Sequence, residues 1–281
     1  MKVGTIQSIW RYPVKGMAGE LLRSCWLDAK GLEGDRLWAV QDVKRQEIQS
    51  CKFRPQLLQC RAQSLASGGV AIRFPDGELL PSRAEKTNER ISQLLGHASV
   101  LQSLRPAADA DFYRRHKQDD HTWLDELKAT FEREPGEPLP DLDNLPPAMQ
   151  EYVSVLGTFF LVSPLHLLTT ASLHQMQVHN PGSDWNVERF RPNIVINTEP
   201  ALQGLVEQGW INRTLKLGNV VVACNGAAPR CGAVVRRQSE LPDDKSILRT
   251  IVREAEQNLG VYGDIQQNGT ISVGDEVVLL D

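Results

Sequence analysis

Apolar and polar residues alternate from Val3 to Val14 (Val-Gly-Thr-Ile-Gln-Ser-Ile-Trp-Arg-Tyr-Pro-Val), which predicts a strand ended by Pro13. Leu21 to Leu27 predicts a second strand anchored by Trp26, and Leu37 to Val40 a short third one after the turn Gly31-Leu-Glu-Gly34-Asp35-Arg36. Leu57, Leu58 and Cys60 predict a further strand. Ser67-Gly-Gly69 and Pro75-Asp-Gly77 bracket Val70 to Phe74, a hairpin signal. Thr87 to Leu95 puts Ile91, Leu94 and Leu95 on one helical face, with Asn88 and Glu89 in the opening turn. Val100 to Leu104 closes this part. Short strands separated by turn signals at this density predict a barrel or sandwich over residues 1–105.

The pattern then changes. Residues 106–150 hold the charged run Arg114-Arg-His-Lys-Gln-Asp-Asp120, an apolar helical face of Trp123, Leu124, Leu127 and Phe131, and a proline-rich stretch from Glu134 to Pro147 that excludes regular structure. This predicts a connection with one short helix. His116 and His121 are five apart, outside the spacing at which a helix presents two ligands together, and are expected on the surface. Residues 151–281 form the second unit. Strands are predicted at Phe159–Val162, Ile194–Ile196, Leu215–Gly218, Val220–Cys224 and Ala233–Val235, with two strand runs between Ile271 and Leu280 about the turn Val273-Gly-Asp275. Leu248 to Leu259 predicts an amphipathic helix, and Thr169 or Thr170 can cap another that runs through Leu173.

Composition narrows the function classes. Apolar residues make up 41% and charge is nearly balanced, 31 basic against 35 acidic residues, with no basic stripe; this fits a packed protein and excludes a nucleic-acid binder. No apolar run reaches the roughly 18 residues of a membrane span, and the first residues lack a signal-peptide core, so a cytoplasmic protein with no membrane partner is expected. Cysteines 25, 51, 60, 224 and 231 form no CxxC pair or even framework, which predicts reduced thiols and no structural zinc site.

Candidate chemistry centres on Asn225-Gly-Ala-Ala-Pro229-Arg230-Cys231-Gly232. Asn, Gly and Pro are expected to break the preceding strand and leave Arg230 and Cys231 on a loop. A guanidinium beside a thiol favours thiolate, the form that attacks electrophiles and binds soft metals; a small buried hydrophobe is the alternative for Cys231. Lys15 and Arg36 each stand at a strand boundary beside glycine, where cations converge on an anion or are simply solvated. A helix capped at Thr169 or Thr170 leaves N–H groups free for phosphate, or is an ordinary cap.

Seven segments in order along the chain, Tyr12-Pro-Val-Lys15, Gly34-Asp-Arg36-Leu-Trp38, Leu168-Thr-Thr-Ala-Ser172-Leu, Phe190-Arg191-Pro-Asn193-Ile-Val, Pro229-Arg230-Cys231, Leu259-Gly-Val-Tyr262 and Val273-Gly-Asp275, resemble the two-domain MOSC proteins, the family of the mitochondrial amidoxime reducing component and its bacterial counterparts. The resemblance implies a β-rich α+β fold: an N-terminal β-barrel-like domain (1–105), a helical, proline-rich connection (106–150) and a C-terminal MOSC β-barrel with peripheral helices (151–281). It implies a molybdenum cofactor of the molybdopterin type, with Cys231 as metal ligand and catalytic residue. Lys15, Arg36, Thr169, Thr170, Ser172, Arg191, Arg230 and Tyr262 are the implied cofactor contacts, and pyridoxal phosphate binding is a further family-level association. Two departures stand out. Gly16-Met17 replaces the Ser or Cys that often follows the lysine, and Gly232-Ala-Val-Val-Arg236-Arg237 replaces the Val-Asp-Pro segment usual in amidoxime reducers.

The expected function is a molybdenum oxidoreductase that reduces N-hydroxylated or other N–O or S–O small molecules. Its electrons are expected from a separate redox protein. For protons, His166 and Asp35 are spatial possibilities. The alternatives are a Cys231 persulfide sulfur carrier or sulfurtransferase, and a non-catalytic carrier of the cofactor.

Overall fold

The structure, a computed structural model, describes residues 1–115 and 123–280; His116 and His121 lie outside the described residues. The first part of the chain forms β1 (Lys2–Arg11), β2 (Glu20–Leu22), β3 (Ser24–Asp28), β4 (Gly31–Leu32), β5 (Trp38–Asp42), β6 (Glu47–Ile48), β7 (Arg61–Ser64), β8 (Val70–Arg73), β9 (Leu79–Pro81), α1 (Glu85–Leu95) and β10 (Ser99–Ser103). The connection carries α2 (Trp123–Thr130) and α3 (Pro147–Glu151). The last part forms β11 (Leu165–Thr169), α4 (Thr170–His179), β12 (Ile194–Thr198), β13 (Thr214–Leu217), β14 (Val220–Pro229), α5 (Lys245–Glu254), β15 (Asn258–Gln267), β16 (Gly269–Ser272) and β17 (Glu276–Leu280). The fold is β-rich α+β, as the sequence predicts.

Seven strands close into a barrel in the order β12-β11-β15-β14-β13-β17-β1, with β1 returning to β12. Period-two patterning explains the closure. Leu165 and Leu167, Ile194 and Ile196, Leu215 and Leu217, and Val220 and Val222 all project into one core with Val3, Ile6 and Ile9. The closing strand is therefore the chain's first, so both ends of the sequence build the same wall. β11 and β12 pair in parallel, and α4 makes the crossover such a pairing requires. Ahead of the barrel, β10-β5-β6 and β7-β8-β9 form two small sheets over a second core that includes Val14, Met17, Val40, Leu57, Ile72 and Ile91.

Several elements differ from the sequence expectation. Leu57 and Leu58 lie in a 3-10 turn, Pro55–Gln59, and not in a strand; both are buried, which one tight turn allows and alternation does not. Val234 and Val235 are likewise consecutive and buried in a 3-10 turn, Gly232–Val235. Phe159–Val162 is irregular. Leu21–Leu27 divides at Arg23 into β2 and β3. α5 stops at Glu254, and Leu259 already belongs to β15. β14 runs through Asn225 and Gly226 to Pro229 instead of breaking. Register shifts at Cys224/Gly226 and Ala227/Pro229 absorb the misfit, and beyond Ala223 only β15 pairs with it, so proline costs no second ladder.

Among the described residues no helix is long and apolar enough to cross a membrane.

Candidate functional site

A cleft of about 230 Å³ opens between the two halves of the chain. Lys15, Arg36, Arg191, Arg230, Cys231 and Tyr262 all line it, so the structure brings six of the nine predicted site residues together. All but Tyr262, which lies within β15, stand where regular structure ends. Lys15 follows β1 and its proline. Arg36 and Arg191 occupy turns with left-handed backbone, φ 49° and 54°. Arg230 and Cys231 follow the last residue of β14.

The cations are held mostly by neutral partners. Lys15 Nζ donates to Phe159 O at 2.6 Å. Burial lowers its pKa to about 7, helped by the charges of Arg36, Lys52 and Arg115. Arg191 Nη1 donates to Met17 O at 2.5 Å, and Arg230 Nη1 to Phe190 O at 2.9 Å. Among the described residues Arg36 alone of these four has a carboxylate partner: Nη1 donates to Asp35 Oδ2 at 2.6 Å, behind the cleft wall. Burial pushes the Asp35 carboxyl up, while Arg36, the Tyr12 N–H and Asn193 oppose the shift.

Cys231 is half-buried. It packs against the cluster of Leu127, Phe131 and Leu142, so the connection walls the cleft on this side. Arg133 clamps the loop by donating to Arg230 O and Gln257 Oε1, each at 3.0 Å. Arg249 ties down the connection through Glu132 O and Glu137 Oε2, both at 2.5 Å. A Cβ at Gly232 would run into the Glu132 carboxylate, which pairs with Arg236. That close approach gives a physical reason for glycine after Cys231.

Thr169, Thr170 and Ser172 do not line the cleft. Thr169 caps α4 by accepting from Ser172 N at 3.1 Å. Thr169 and Ser172 also donate their hydroxyls to Glu207 Oε2, at 2.7 and 2.5 Å. Glu207 is fully buried. Burial pushes its carboxyl up, with the Ser172 and Thr169 hydroxyls pulling the other way. Thr170 Oγ1 accepts from Thr198 N at 3.1 Å and so ties α4 to β12. The hydroxyls at the helix terminus are thus already engaged by an acidic side chain of the chain itself, an arrangement that fits the ordinary-cap alternative.

The cleft also contains residues that pattern alone passed over: Ser50, Cys51, Lys52 and Arg189. Cys51-Lys52 repeats the thiol-beside-cation signature of Arg230-Cys231, a signal present in the sequence. Burial pushes the Cys51 thiol up, and Arg191 opposes this. Gly16, at φ 85°, is closely approached by the Cys51 backbone, so a side chain at that departure from the family pattern has little room. His166 lines the cleft between two carbonyls, Nδ1 3.4 Å from Arg191 O and Nε2 3.3 Å from Leu259 O. Burial, then Arg230, drive its pKa well below the ordinary histidine value, so it is neutral there. Among the described residues no group of three or more His, Cys, Asp or Glu is placed to hold a metal ion. A metal here would need ligands besides the protein's.

Residues 157–278 match the profile of the MOSC domain, and residues 3–113 that of the MOSC N-terminal beta barrel domain. The chain is 25% identical to mitochondrial amidoxime reducing component 2 of Homo sapiens and to that of Bos taurus, in each case over 98% of this chain and 83% of the relative. Among solved structures, the YuaD protein of Bacillus subtilis aligns over 99% of this chain and 94% of its own, at 11% identity and a TM-score of 0.44. YiiM of Geobacillus stearothermophilus aligns over 42% of this chain and 55% of its own, at 17% identity and a TM-score of 0.31.

Proposed function

The chain belongs to the MOSC proteins in which a MOSC N-terminal beta barrel domain precedes the MOSC domain, and from that premise we propose that it is a molybdenum-cofactor oxidoreductase that reduces N-hydroxylated or other N–O or S–O small molecules. The observation that carries the proposal is one of charge. The described residues lining the cleft include six cations, Lys15, Arg36, Lys52, Arg189, Arg191 and Arg230, and no carboxylate. Among the described residues only Arg36 of these six has a carboxylate partner, Asp35 behind the wall, and cations gathered with so little counter-charge are costly unless an anion joins them. A pterin with a terminal phosphate would supply that anion, and Cys231 would offer a soft sulfur to the metal the pterin carries. The residues present therefore fit the group.

Lys15, Arg36, Lys52 and Arg191 would hold its anionic end, and Arg230 would fix the Phe190–Arg191 turn through its bond to Phe190 O. Tyr262 would bound the cofactor from β15. Thr169 and Ser172 are left out of this cradle because Glu207 takes their hydroxyl protons. When bound, the cofactor supplies two-electron, oxygen-accepting chemistry. The protons must come through the protein or from water. Neutral His166 is a poor acid at neutral pH, and Asp35 spends both oxygens on Arg36 and the Tyr12 N–H. Lys15, with a pKa of about 7 before an anion binds, is the group of the cleft best able to exchange a proton near neutrality. A separate redox protein as electron donor and a cytoplasmic location belong to the same proposal. The relatives' names speak for neither sulfur carriage nor pyridoxal phosphate binding.

The test is elemental analysis of protein purified from a molybdate-replete host, with extraction of pterin. Stoichiometric molybdenum with pterin, and turnover of an N-hydroxylated substrate with an artificial reductant, is the expected result. A metal-free protein carrying cyanide-labile sulfur would overturn it in favour of the persulfide alternative.

A further inference from the structure

Tyr12 is buried and does not line the cleft, yet it stands behind two of the cleft's cations. The Cζ atom of Arg191 lies 4.3 Å from the Tyr12 ring centroid, and that of Arg36 lies 5.8 Å away. Both arginines hold left-handed backbone, φ 54° and 49°, which non-glycine residues keep only where their surroundings fix them. Tyr12 supplies much of that fixing. Its carbonyl accepts from Arg36 N at 2.8 Å. Its own N–H donates at 2.7 Å to Asp35 Oδ1, and the other oxygen of that carboxylate accepts from Arg36 Nη1. Its hydroxyl donates to Pro192 O at 2.9 Å, one residue beyond Arg191. One side chain and its backbone thus touch both arginine turns, which are far apart in sequence.

We propose that Tyr12 is the positioning residue of the anion site, its ring face holding Arg36 and Arg191 toward one shared anion. The inference rests on the anion-binding reading above and adds to it the residue that makes two separate cations act as a pair. The physics is that of a quadrupole: the negative face of an aromatic ring attracts guanidinium groups and offsets part of their mutual repulsion. It does so without donating or accepting a hydrogen bond there, so it leaves the guanidinium N–H groups to Met17 O, to the Asp35 carboxylate and to an incoming anion.

A large-to-small change at a buried position can simply unfold the protein, so the test keeps the shape and changes the ring's electrons. Phenylalanine, then singly and multiply fluorinated phenylalanines, are placed at position 12 of the full chain in its cofactor-free form. Sulfate affinity is measured by calorimetry, and the thermal midpoint by circular dichroism. Tyr12→Phe keeps the ring face but loses the bond to Pro192 O, so its sulfate affinity is the reference for the fluorinated series. Affinity should then fall stepwise with each fluorine, by about tenfold to the fully fluorinated ring, the range expected when a desolvated cation–π contact is lost. The thermal midpoints of the fluorinated series should stay together, because their packing is nearly the same. Equal sulfate affinity across the series would overturn the role given to Tyr12 and leave the anion site standing. Absence of sulfate binding in the native protein would overturn the anion site and Tyr12's role with it.

Discussion

The N-terminus of α4 and the cleft at Cys231 offer an anion much the same chemistry, and they differ in who supplies the anion. At α4 the Thr169 oxygen caps the Ser172 N–H, and the Ser172 and Thr169 hydroxyls both donate to Glu207, an acidic side chain of the same chain, fully buried and hydrogen-bonded at 2.5 and 2.7 Å. At the cleft, six cationic residues face a space that no described carboxylate lines. A motif that can bind phosphate is therefore not a phosphate site until its charges have been counted. The first region is closed by the chain itself, and the second is the one for which we propose an anion from outside the chain.

The sharpest separation of the two regions comes from the sulfur. Cys231→Ser changes little volume at a half-buried loop position but removes a soft ligand. Turnover of an N-hydroxylated substrate with an artificial reductant is expected to fall to background while the thermal midpoint hardly moves. Full molybdenum-dependent activity in this variant would remove Cys231 from the metal and take the proposed chemistry with it.

Next in size is a crossed pair of substitutions. Glu207→Ala strips the α4 terminus of its carboxylate and leaves two buried hydroxyls without their acceptor; it should cost about 2 kcal/mol of stability. Its sulfate affinity should be unchanged. Arg191→Ala should do the reverse, lowering sulfate affinity about tenfold and bound pterin with it, for a loss of one charge-assisted contact. Its stability without anion should change little, because the half-buried side chain gives up one hydrogen bond, to Met17 O. Added sulfate should raise the thermal midpoint of the native protein more than that of Arg191→Ala. If Glu207→Ala lowers anion affinity and Arg191→Ala lowers only stability, the assignment of the two regions is inverted.

How far the sequence goes toward this distinction depends on the residue. The barrel strands were legible because period-two burial shows directly in pairs such as Leu165/Leu167 and Ile194/Ile196. Leu57-Leu58 and Val234-Val235 were misread because two adjacent apolar residues fit a buried strand as well as a tight turn. The continuation of β14 was hidden by Asn, Gly and Pro, which usually punctuate; only the bulges and the one-sided pairing make room for them. At the site, Lys15, Arg36 and Arg191 could be named from their segments, but their convergence is a property of three dimensions. Glu207 could not be connected to Thr169 at all, since nothing local links residues 38 apart. Cys51-Lys52 was legible in principle, as a second thiol beside a cation.

The smallest effect probes the cleft through a proton. In the folded, anion-free protein burial above all lowers the Lys15 pKa to about 7, against 10.5 for an ordinary lysine in water. Between those values the unfolded chain binds a proton that the folded chain does not, so this residue makes stability rise with pH across that window. Anion binding runs the other way. A bound sulfate favours the ammonium and raises its pKa, so above pH 7 binding must take up a proton. Sulfate affinity is therefore expected to be flat below pH 6 and to fall by up to about tenfold per pH unit above 7. His166 does not contribute, being held neutral well below this range, and the Cys51 thiol is pushed upward by burial. Lys15→Arg should abolish the slope, because a guanidinium keeps its charge throughout. Calorimetry in two buffers of different ionisation enthalpy reads the proton directly: uptake should appear at pH 8 and vanish at pH 6. The α4 terminus offers no such signal, since its anion is built in. An affinity independent of pH from 6 to 8 in the native protein would mean that Lys15 does not face the anion, and the cleft would lose one of the cations its charge argument counts.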